Sequence, residues 1–349
     1  MHFSVILIKW YNIHKRDLPF RRTRDPYKIW LSEIILQQTR VSQGLPYYEK
    51  FIKLFPTIHH LARAEEDVVM KAWQGLGYYS RARNLHSTAQ HISKILKGKF
   101  PETFEEIKQL RGIGDYTAGA IVSLAFNKPY VVVDGNVFRV LSRYFGIRTP
   151  IDSQKGKSEY KEKAETLLDR DRPGDFNQAV MEFGALQCVP VNPDCTICPL
   201  KNSCVAYSND IINVLPVKSK KVKTRIRYFN YLVFRIKGKV LLKKRTEKDI
   251  WKNLYDFPLI ETEQGINQLL PYVKKNTSIK LIRNTETSVS KVYKHVLSHQ
   301  VIYARFWKLN SFEDKNYISK NKIIYVDEKQ LDKYAFPRLI EQYLQEKLV

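Results

Sequence analysis

The stretch from Leu110 to Arg143 limits the folds open to this chain more than any other part of it. Gly112 and Gly114 flank Ile113 between two apolar helical patterns. Glycine lets the backbone approach a partner closely, and the first amides of the next helix can donate hydrogen bonds to an anion. The turn therefore predicts a phosphate-binding site, although turns of this kind also occur where two helices simply pack together.

An acidic residue follows this turn at the start of another predicted helix. The second helical pattern covers Tyr116–Phe126 and ends before the helix-breaking pair Lys128-Pro129. The apolar run Tyr130–Val133 then leads to Asp134. A helix N-terminus favours the ionised form of an acid, so we expect Asp134 to be a carboxylate.

The composition favours a polyanion as partner. The 349 residues include 59 Lys and Arg against 35 Asp and Glu, a net charge of +24. The 21 Tyr and 17 Phe suit stacking on bases, so we expect nucleic acid, with a merely basic soluble protein as the alternative. The apolar runs are shorter than a membrane span, and we expect a cytoplasmic protein, nucleoid-associated if bacterial.

An early predicted helix carries an acid on its apolar side. Asp25-Pro26 predicts the start of this helix, and Ile29, Trp30 and Ile34 surround Glu33 along it. Burial among such side chains raises the pKa of a carboxyl, and an acid that stays protonated near neutral pH is a proton donor. The alternative is an ordinary paired acid at the edge of the helix.

Three strings in these regions resemble known motifs. Residues 110–118, LRGIGDYTA, resemble the helix-hairpin-helix of the DNA-repair glycosylases, and residues 133–140, VDGNVFRV, resemble the catalytic-acid segment of that superfamily. Residues 32–39, SEIILQQT, resemble the adenine DNA glycosylase family. The resemblance implies a monofunctional, monomeric hydrolase that removes adenine mispaired with 8-oxoguanine, or less well with guanine, from double-stranded DNA.

The resemblance also implies roles for individual residues. Glu33 would be the general acid, and Asp134 would stabilise the oxocarbenium-like sugar or act as a transient nucleophile. Tyr116 and Asn136 would assist these two carboxyl groups as catalytic residues. The residues expected around the flipped adenine are Arg16, Arg21 and Gln178, and those expected to bind DNA are Gln38, Tyr78, Gly112 and Gly114.

The four cysteines form one local group. Cys188, Cys195, Cys198 and Cys204 leave six, two and five residues between them. A structural zinc site usually has two close-set pairs, whereas four thiolates in one short loop suit a [4Fe–4S] cluster; zinc is the alternative. The spacing matches the cluster loop of the endonuclease III and adenine glycosylase superfamily. A structural role is implied, in a loop whose Lys201 faces phosphate.

The second half of the chain has the composition of an α+β module. A basic linker is predicted from Pro216 to Arg227, and two strands, Tyr228–Ile236 and Lys239–Leu242, flank the turn residues Lys237-Gly238. Later strands are predicted at Ile302–Leu309 and Ile323–Val326. The module resembles the Nudix-like domain that adenine glycosylases use to recognise the oxidised base. A Nudix box is not found after Pro258, so we expect recognition without pyrophosphate hydrolysis.

A short polar segment of this module is the predicted lesion-recognition loop. Leu297, Ser298 and His299 resemble that loop in the family, although Phe is common where this chain has Leu297. Ser298 would hydrogen-bond the lesion and His299 would support the loop. Without the resemblance, these are ordinary polar residues before an edge strand.

The predicted fold class is multidomain. An all-α helix-hairpin-helix glycosylase domain with a [4Fe–4S] loop at 188–204 covers residues 1–207, a basic linker covers 208–227, and an α+β Nudix-like lesion-recognition domain covers 228–349. Two alternative functions stay open. One is an endonuclease III-like lyase, which carries a lysine where this chain has Tyr116. The other is a non-catalytic iron–sulfur scaffold that binds DNA.

Overall fold

The computed structural model describes residues 3–219, 224–276, 286–310, 312 and 314–346. Within this part of the chain there are two compact units. The first contains the residues up to 63 and those from 84 to 219, and the second contains residues 64–83 and those from 224 onward. Residues 220–223 of the predicted basic linker lie outside the described residues.

The first unit is helical, as the sequence predicts. Its first four helices precede the segment that belongs to the second unit, and α6 begins within that segment. The helices are α1 (Phe3–His14), α2 (Pro26–Leu36), α3 (Val41–Leu54), α4 (Ile58–Arg63), α6 (Ser80–Lys94), α7 (Phe104–Gln109), α8 (Asp115–Phe126), α9 (Gly135–Phe145), α10 (Gln154–Leu167), α11 (Pro173–Leu186) and α12 (Val205–Ser208).

Local sequence signals explain how the site-bearing helices begin. The Asp25 carboxylate accepts the Tyr27 N–H at 2.9 Å and so caps α2, whose first residue is Pro26. Asp134 caps α9 in the same way. Both predicted helix starts are confirmed.

The predicted hairpin turn lies between α7 and α8. Gly112 has a φ of +80°, and a Cβ at this position would lie 2.6 Å from the Cβ of Asn84, so only glycine fits without a shift. Gly114 is the N-cap of α8. The first amides of α8 are therefore located directly after the turn, as the sequence predicts.

Helices α1, α9 and α11 share the core that supports the candidate site. Trp10 of α1 packs edge-on against Phe183 of α11, with ring centroids 5.0 Å apart. Helices α9 and α11 approach closely because Gly184 has no side chain: a Cβ there would lie 2.7 Å from the Cβ of Asn136. This close approach brings the start of α9 next to α11.

The second unit is built on a mixed sheet. Strands β1 and β7 pair in parallel over ten residues, from Arg225 opposite Gln300 to Phe234 opposite Leu309, and the other pairs are antiparallel. The described strands are β1 (Arg225–Ile236), β2 (Lys239–Lys244), β3 (Tyr255–Asp256), β4 (Leu259–Thr262), β5 (Glu286–Val289), β6 (Tyr293–Val296), β7 (Gln300–Leu309) and β8 (Ile323–Asp327). The helices packed with them are α5 (Glu66–Trp73), α13 (Leu269–Asn276), α14 (Lys315–Lys320) and α15 (Arg338–Gln345).

The predicted hairpin between β1 and β2 is confirmed. Lys237 and Gly238 have φ angles of +50° and +75°, as the two central residues of a tight hairpin require. Strand β1 begins at Arg225, inside the predicted linker. Arg227 is 7% exposed and pairs with both Asp249 and Glu261, so these partners hold the start of the strand in the unit.

Residues 64–83 precede the rest of the second unit by more than a hundred positions in sequence and nevertheless form part of it. The Asp67 carboxylate on α5 binds Lys244 Nζ at 2.5 Å and accepts the Tyr255 hydroxyl at 2.9 Å. Lys71 Nζ donates to the Tyr334 carbonyl at 3.0 Å. These contacts join residues far apart in the sequence, so residue spacing does not predict where α5 packs.

Candidate active site and associated binding residues

Two carboxyl groups line one cavity of the first unit. Glu33 is on the last turns of α2, Asp134 is at the start of α9, and Tyr116 reaches the same cavity from the start of α8. The cavity has a volume of about 590 Å³, large enough for a small organic group. The predicted residues that line it are Arg16, Arg21, Glu33, Tyr116, Asp134, Asn136 and Gln178.

Glu33 has the properties of a proton donor. Burial raises the pKa of its carboxyl to about 7, and the negative charge of Asp134 acts in the same direction. The Tyr116 hydroxyl hydrogen-bonds this carboxyl and opposes the rise in pKa. Burial in turn raises the pKa of Tyr116 well above its ordinary value, so its hydroxyl keeps its proton. A protonated carboxyl near neutral pH can give a proton to a group in the cavity.

Asp134 is held by the helix that it caps. Its Oδ1 accepts the N–H groups of Asn136 and Val137 at 2.9 and 2.8 Å, and its Oδ2 accepts Asn136 Nδ2 at 2.7 Å. Burial nevertheless raises the pKa of Asp134, and these hydrogen bonds only partly oppose the rise. The expectation of an ionised Asp134 rests on the helix N-terminus alone, whereas burial shifts the pKa of this carboxyl in the opposite direction.

Asn136 connects the cavity to the cysteine loop. Arg139 Nη2 donates to Asn136 Oδ1 at 2.9 Å and to the Gly184 carbonyl at 2.6 Å. Arg139 Nε donates to the Cys188 carbonyl at 2.7 Å. The orientation of the Asn136 amide, and hence of Asp134, is therefore fixed by a guanidinium that also binds the first cysteine.

The two predicted arginines are paired with an acid on α11. Arg16 donates from Nε and Nη2 to Glu182 at 2.9 and 2.6 Å, and Arg21 donates from Nη1 and Nη2 to the same carboxylate at 2.8 and 2.7 Å. Although burial opposes it, this pairing lowers the pKa of Glu182 to about 2, so the acid stays ionised. Glu182 is not among the site residues predicted from the sequence.

Gln178 is one turn before Glu182 on the same helix. Its Oε1 accepts the Tyr11 hydroxyl at 2.7 Å. Its Nε2 makes no hydrogen bond within the part of the chain that the structure describes. This amide is therefore fixed at one end and has a donor available toward the cavity.

None of the four predicted DNA-binding residues lines the cavity. Gly112 and Gly114 form the hairpin turn described above, and Gln38 is exposed after the end of α2 with a φ of +56°. This backbone conformation is uncommon for a residue other than glycine. Gln38 therefore projects from a tight turn and does not continue the helix.

In the second unit, Tyr78 lies beside the predicted lesion-recognition loop. Tyr78 is 51% exposed, has a φ of +44°, and its hydroxyl is 2.5 Å from Ser298 Oγ. Leu297 to His299 form the turn between β6 and β7, closed by the Leu297 N–H and the Gln300 carbonyl at 2.8 Å. The structure brings Tyr78, predicted to bind DNA, together with Ser298, predicted to bind the lesion.

The four cysteines line one small, apolar cavity of about 30 Å³. Cys188 Sγ lies 3.6 Å from Arg143 Nη1, and the Arg143 carbonyl accepts from Cys204 Sγ at 3.6 Å. Across the described residues, no three His, Cys, Asp or Glu side chains are arranged to hold a single metal ion. Four thiol sulfurs around one apolar cavity are the kind of ligand set that a [4Fe–4S] cluster uses.

Comparisons with known proteins assign the chain to a family. A model described as HhH-GPD superfamily base excision DNA repair protein matches residues 31–169, and a NUDIX domain model matches residues 230–346. The adenine DNA glycosylase of Buchnera aphidicola subsp. Acyrthosiphon pisum is 35% identical over 98% of this chain and 97% of its own length. The chain belongs to the adenine DNA glycosylase family. Its relative in Buchnera aphidicola subsp. Baizongia pistaciae is 38% identical over 90% of this chain and 89% of its own length.

Solved structures share the fold of part of this chain. A structure described as a thermostable thymine-DNA glycosylase is 31% identical, with a TM-score of 0.55 over 59% of this chain and 95% of that one. A trapped endonuclease III–DNA covalent intermediate has a TM-score of 0.52 at 20% identity, which shows a shared fold. The predicted fold class, a helical glycosylase domain followed by a Nudix-like domain, is confirmed for this family member. No helix in the described ranges has the length and hydropathy needed to cross a membrane.

Three residues of the candidate site have no role in the predictions from sequence. Glu182 binds both arginines, Tyr11 holds Gln178, and Arg139 supports Asn136. The spacing of Gln178 and Glu182 by one helical turn was a usable signal, because both side chains then face the same side of α11. Nothing local identifies Tyr11, whose partner is 167 positions away.

Proposed function

We propose that this protein is a monofunctional glycosylase that removes adenine from double-stranded DNA where it is mispaired with 8-oxoguanine, or less well with guanine, and leaves an abasic site. One observation carries the proposal. A carboxyl whose pKa is raised to about 7, Glu33, lines the same cavity as a second carboxyl, Asp134, which two backbone amides hold in place.

Binding would begin with the DNA backbone and the mismatch. The amides after Gly112 and Gly114 suit a phosphate, and the net charge of +24 favours the duplex as a whole. Extruding a base from the stack costs a few kcal/mol, less at a mismatch. Gln38 and Tyr78, both exposed, would fill or support the vacated position in the stack.

The extruded adenine would enter the cavity beside Glu182 and its two arginines. Arg16 and Arg21 are fixed by that carboxylate, so they present their remaining donors without further ordering. The unpaired Nε2 of Gln178 would donate to a ring nitrogen of the base. These groups would orient the purine for protonation.

Glu33 would protonate adenine N7, which makes the purine a better leaving group, and Asp134 would stabilise the positive charge that develops at C1′ or bond to it transiently. The division of labour between two carboxyl groups is that of glycoside hydrolysis. Tyr116 would hold the Glu33 carboxyl in position, and Asn136 would do the same for Asp134. Glu33 could later take a proton from the attacking water.

Recognition of the base opposite adenine is proposed for the second unit. Ser298 would hydrogen-bond the lesion, His299 would support the turn, and Leu297 would contact the base without the stacking that an aromatic ring provides. The short contact between Tyr78 and Ser298 supports this assignment, because it joins the residue expected to enter the stack to the residue expected to read the lesion.

Cys188, Cys195, Cys198 and Cys204 would hold a [4Fe–4S] cluster, whose contribution when bound is to cross-link and stiffen the loop that they share. Arg139 and Arg143 bind carbonyl groups at and after Cys188, and these contacts tie the loop to α9. Lys201 is located between the last two cysteines, where it would face a phosphate.

A panel of duplexes tests the proposal. Each duplex carries adenine opposite 8-oxoguanine, guanine, cytosine or thymine, and alkali after incubation reveals abasic sites. We expect cleavage after alkali to be fastest opposite 8-oxoguanine and slower opposite guanine. Absence of abasic sites in every duplex would contradict the proposal and favour a DNA-binding scaffold.

The same gels distinguish a lyase. A lyase would cut the strand without alkali through an amine nucleophile, and no lysine is among the residues that line the described cavity. Strand cleavage before alkali, trapped by borohydride, would therefore contradict a monofunctional glycosylase.

A further inference from the structure

A second cavity of the first unit, the rear cavity, adjoins the proposed base pocket. It has a volume of about 270 Å³ and shares five lining residues with the first cavity. The shared residues are Phe20, Arg21, Ile29, Leu124 and Gln178. Side chains thus separate the two cavities, and a change of rotamer could join them.

The rear cavity is polar and reaches solvent. Its own lining includes exposed residues at the end of α8 and the beginning of α11, and its volume is far above the ~10–15 Å³ that one water needs. Donors and acceptors are both present, as a purine with ring nitrogens and an amino group requires. The residues that line only this cavity are Thr23, Arg24, Ser123, Asn127, Asp171, Arg172, Gly174 and Asp175.

Five residues line both cavities and form a shared wall. Its two polar residues, Arg21 and Gln178, differ in the number of hydrogen bonds that hold them. Arg21 makes two hydrogen bonds to Glu182 and one to the Arg16 carbonyl at 3.2 Å. Among the residues that the structure describes, the Gln178 side chain is held by one hydrogen bond, which it accepts from Tyr11. Rotation of Gln178 therefore breaks one hydrogen bond, whereas movement of Arg21 breaks three and separates an ion pair. Gln178 is the side chain of the wall that can move at the lower cost.

We propose that the rear cavity is a product site, through which the detached purine leaves the base pocket when Gln178 swings aside. The inference rests on the proposed function. On that function, the DNA strand that delivers a base into the base pocket would cover the mouth of the pocket until the product strand dissociates. A free purine then needs a second way out, and release of product often limits turnover in such enzymes.

The test introduces a tryptophan at a residue that lines the rear cavity but does not line the base pocket. In Asp175→Trp the indole occupies the rear cavity, and Asp175→Asn is the matched control because it removes the same charge from the first turn of α11. A duplex labelled with tritium in its adenine is mixed with excess enzyme. Alkali gels measure abasic sites, and rapid filtration separates free purine from purine kept on the protein–DNA complex.

We expect abasic sites to form at the parental rate in both variants, while Asp175→Trp delays the appearance of free purine by about tenfold or more. Free purine that appears together with the abasic site in Asp175→Trp would overturn the exit route. If the parent forms no abasic sites in any duplex, the proposed function itself fails, which is a different result.

A second variant guards against a folding defect. Arg24→Trp fills the same cavity from the loop before α2, and Arg24→Gln is its control. Far-ultraviolet circular dichroism identifies any variant that has not folded. Retention of labelled purine by each tryptophan variant that folds, and by neither control, supports the product site; a folded tryptophan variant that releases purine as fast as the parent overturns it.

Discussion

Arg139 and Cys188 are joined by a 2.7 Å hydrogen bond from the guanidinium Nε to the backbone carbonyl, and the same guanidinium holds the Asn136 amide that binds Asp134. The cysteine loop and the proposed catalytic acid are therefore connected by one side chain. A change in this side chain should affect both.

Replacement of Arg139 by Gln should lower the free energy of unfolding by about 2–3 kcal/mol, because buried carbonyl groups of Cys188 and Gly184 lose their donors. The abasic-site rate should fall by about 10–100-fold, since Asn136 is no longer held. Chemical denaturation and single-turnover gels measure the two effects. Arg148→Gln, at an exposed position, is the control, and equal effects in both variants would contradict the connection.

Replacement of Glu33 by Gln should reduce the abasic-site rate by about 10²–10⁴-fold, because the amide has no proton to give. In the parent, the single-turnover rate should fall as the pH rises through about 7, where the Glu33 carboxyl loses its proton. A rate that stays constant between about pH 6 and about pH 9, a range that includes the Glu33 pKa of about 7, would show that Glu33 is not the general acid. Glu49→Gln, on the exposed side of α3, should leave the profile unchanged.

The Glu33 substitution also has a predicted effect on stability. Because burial raises the pKa of Glu33 in the folded protein, its contribution to stability is full below the ordinary value of 4.5 and is lost as the pH rises through about 7. We therefore expect Glu33→Gln to melt at a higher temperature than the parent at pH 8, with a smaller difference at pH 5. Melting followed by circular dichroism at both pH values measures this.

Two replacements of Asp134 should separate its roles in capping and in chemistry. Asn keeps the Oδ1 acceptor that caps α9 and loses only the acceptor for Asn136 Nδ2, so Asp134→Asn should lose the abasic-site activity while its melting temperature falls less than that of Asp134→Ala. Asp134→Ala should lose the activity and about 1 kcal/mol of stability as well. Unchanged product formation by Asp134→Asn would remove Asp134 from the mechanism.

Replacement of Glu182 by Gln should destabilise the protein by about 3–5 kcal/mol, since Arg16 and Arg21 lose their shared carboxylate. The pKa of Glu182 is lowered to about 2, so its contribution to stability is present above the ordinary 4.5 and lost as the pH falls toward 2. The acid-induced loss of stability should therefore be smaller in Glu182→Gln. Denaturation at a series of pH values measures this, with Glu102→Gln as an exposed control.

Iron content tests the cysteine site. The purified protein should contain iron and inorganic sulfide and show visible absorption, and Cys198→Ser should lose both the colour and the iron. Zinc without visible absorption in the parent would contradict the cluster. Ser203→Ala, a neighbour that does not line the cavity, is the control.

Local patterns predicted the parts of the site that depend on local chemistry. Capping and apolar periodicity located Glu33 on α2 and Asp134 at the start of α9, and the glycines located the turn before α8. The meeting of the two carboxyl groups in one cavity depends on how helices pack, and only the resemblance suggested it. Their pKa values depend on burial, which no local pattern measures.

Pairings between distant positions could not be predicted. Arg16 and Glu182 are 166 positions apart, and either residue alone has the pattern of an ordinary surface charge. The parallel pairing of β1 with β7 likewise joins segments separated by several other elements. Such contacts depend on how the whole chain folds, and they cannot be inferred from the spacing of residues in the sequence.

The assignment of residues 64–83 to the second unit means that the polypeptide passes between the units three times. A protease cut between residues 219 and 224 would leave the Asp67 helix covalently on one piece and bound by Lys244 and Tyr255 on the other. The two pieces should therefore stay associated after the cut. The C-terminal half produced alone should need a peptide of residues 64–83 in order to fold. The second unit is therefore not an independently folding C-terminal domain.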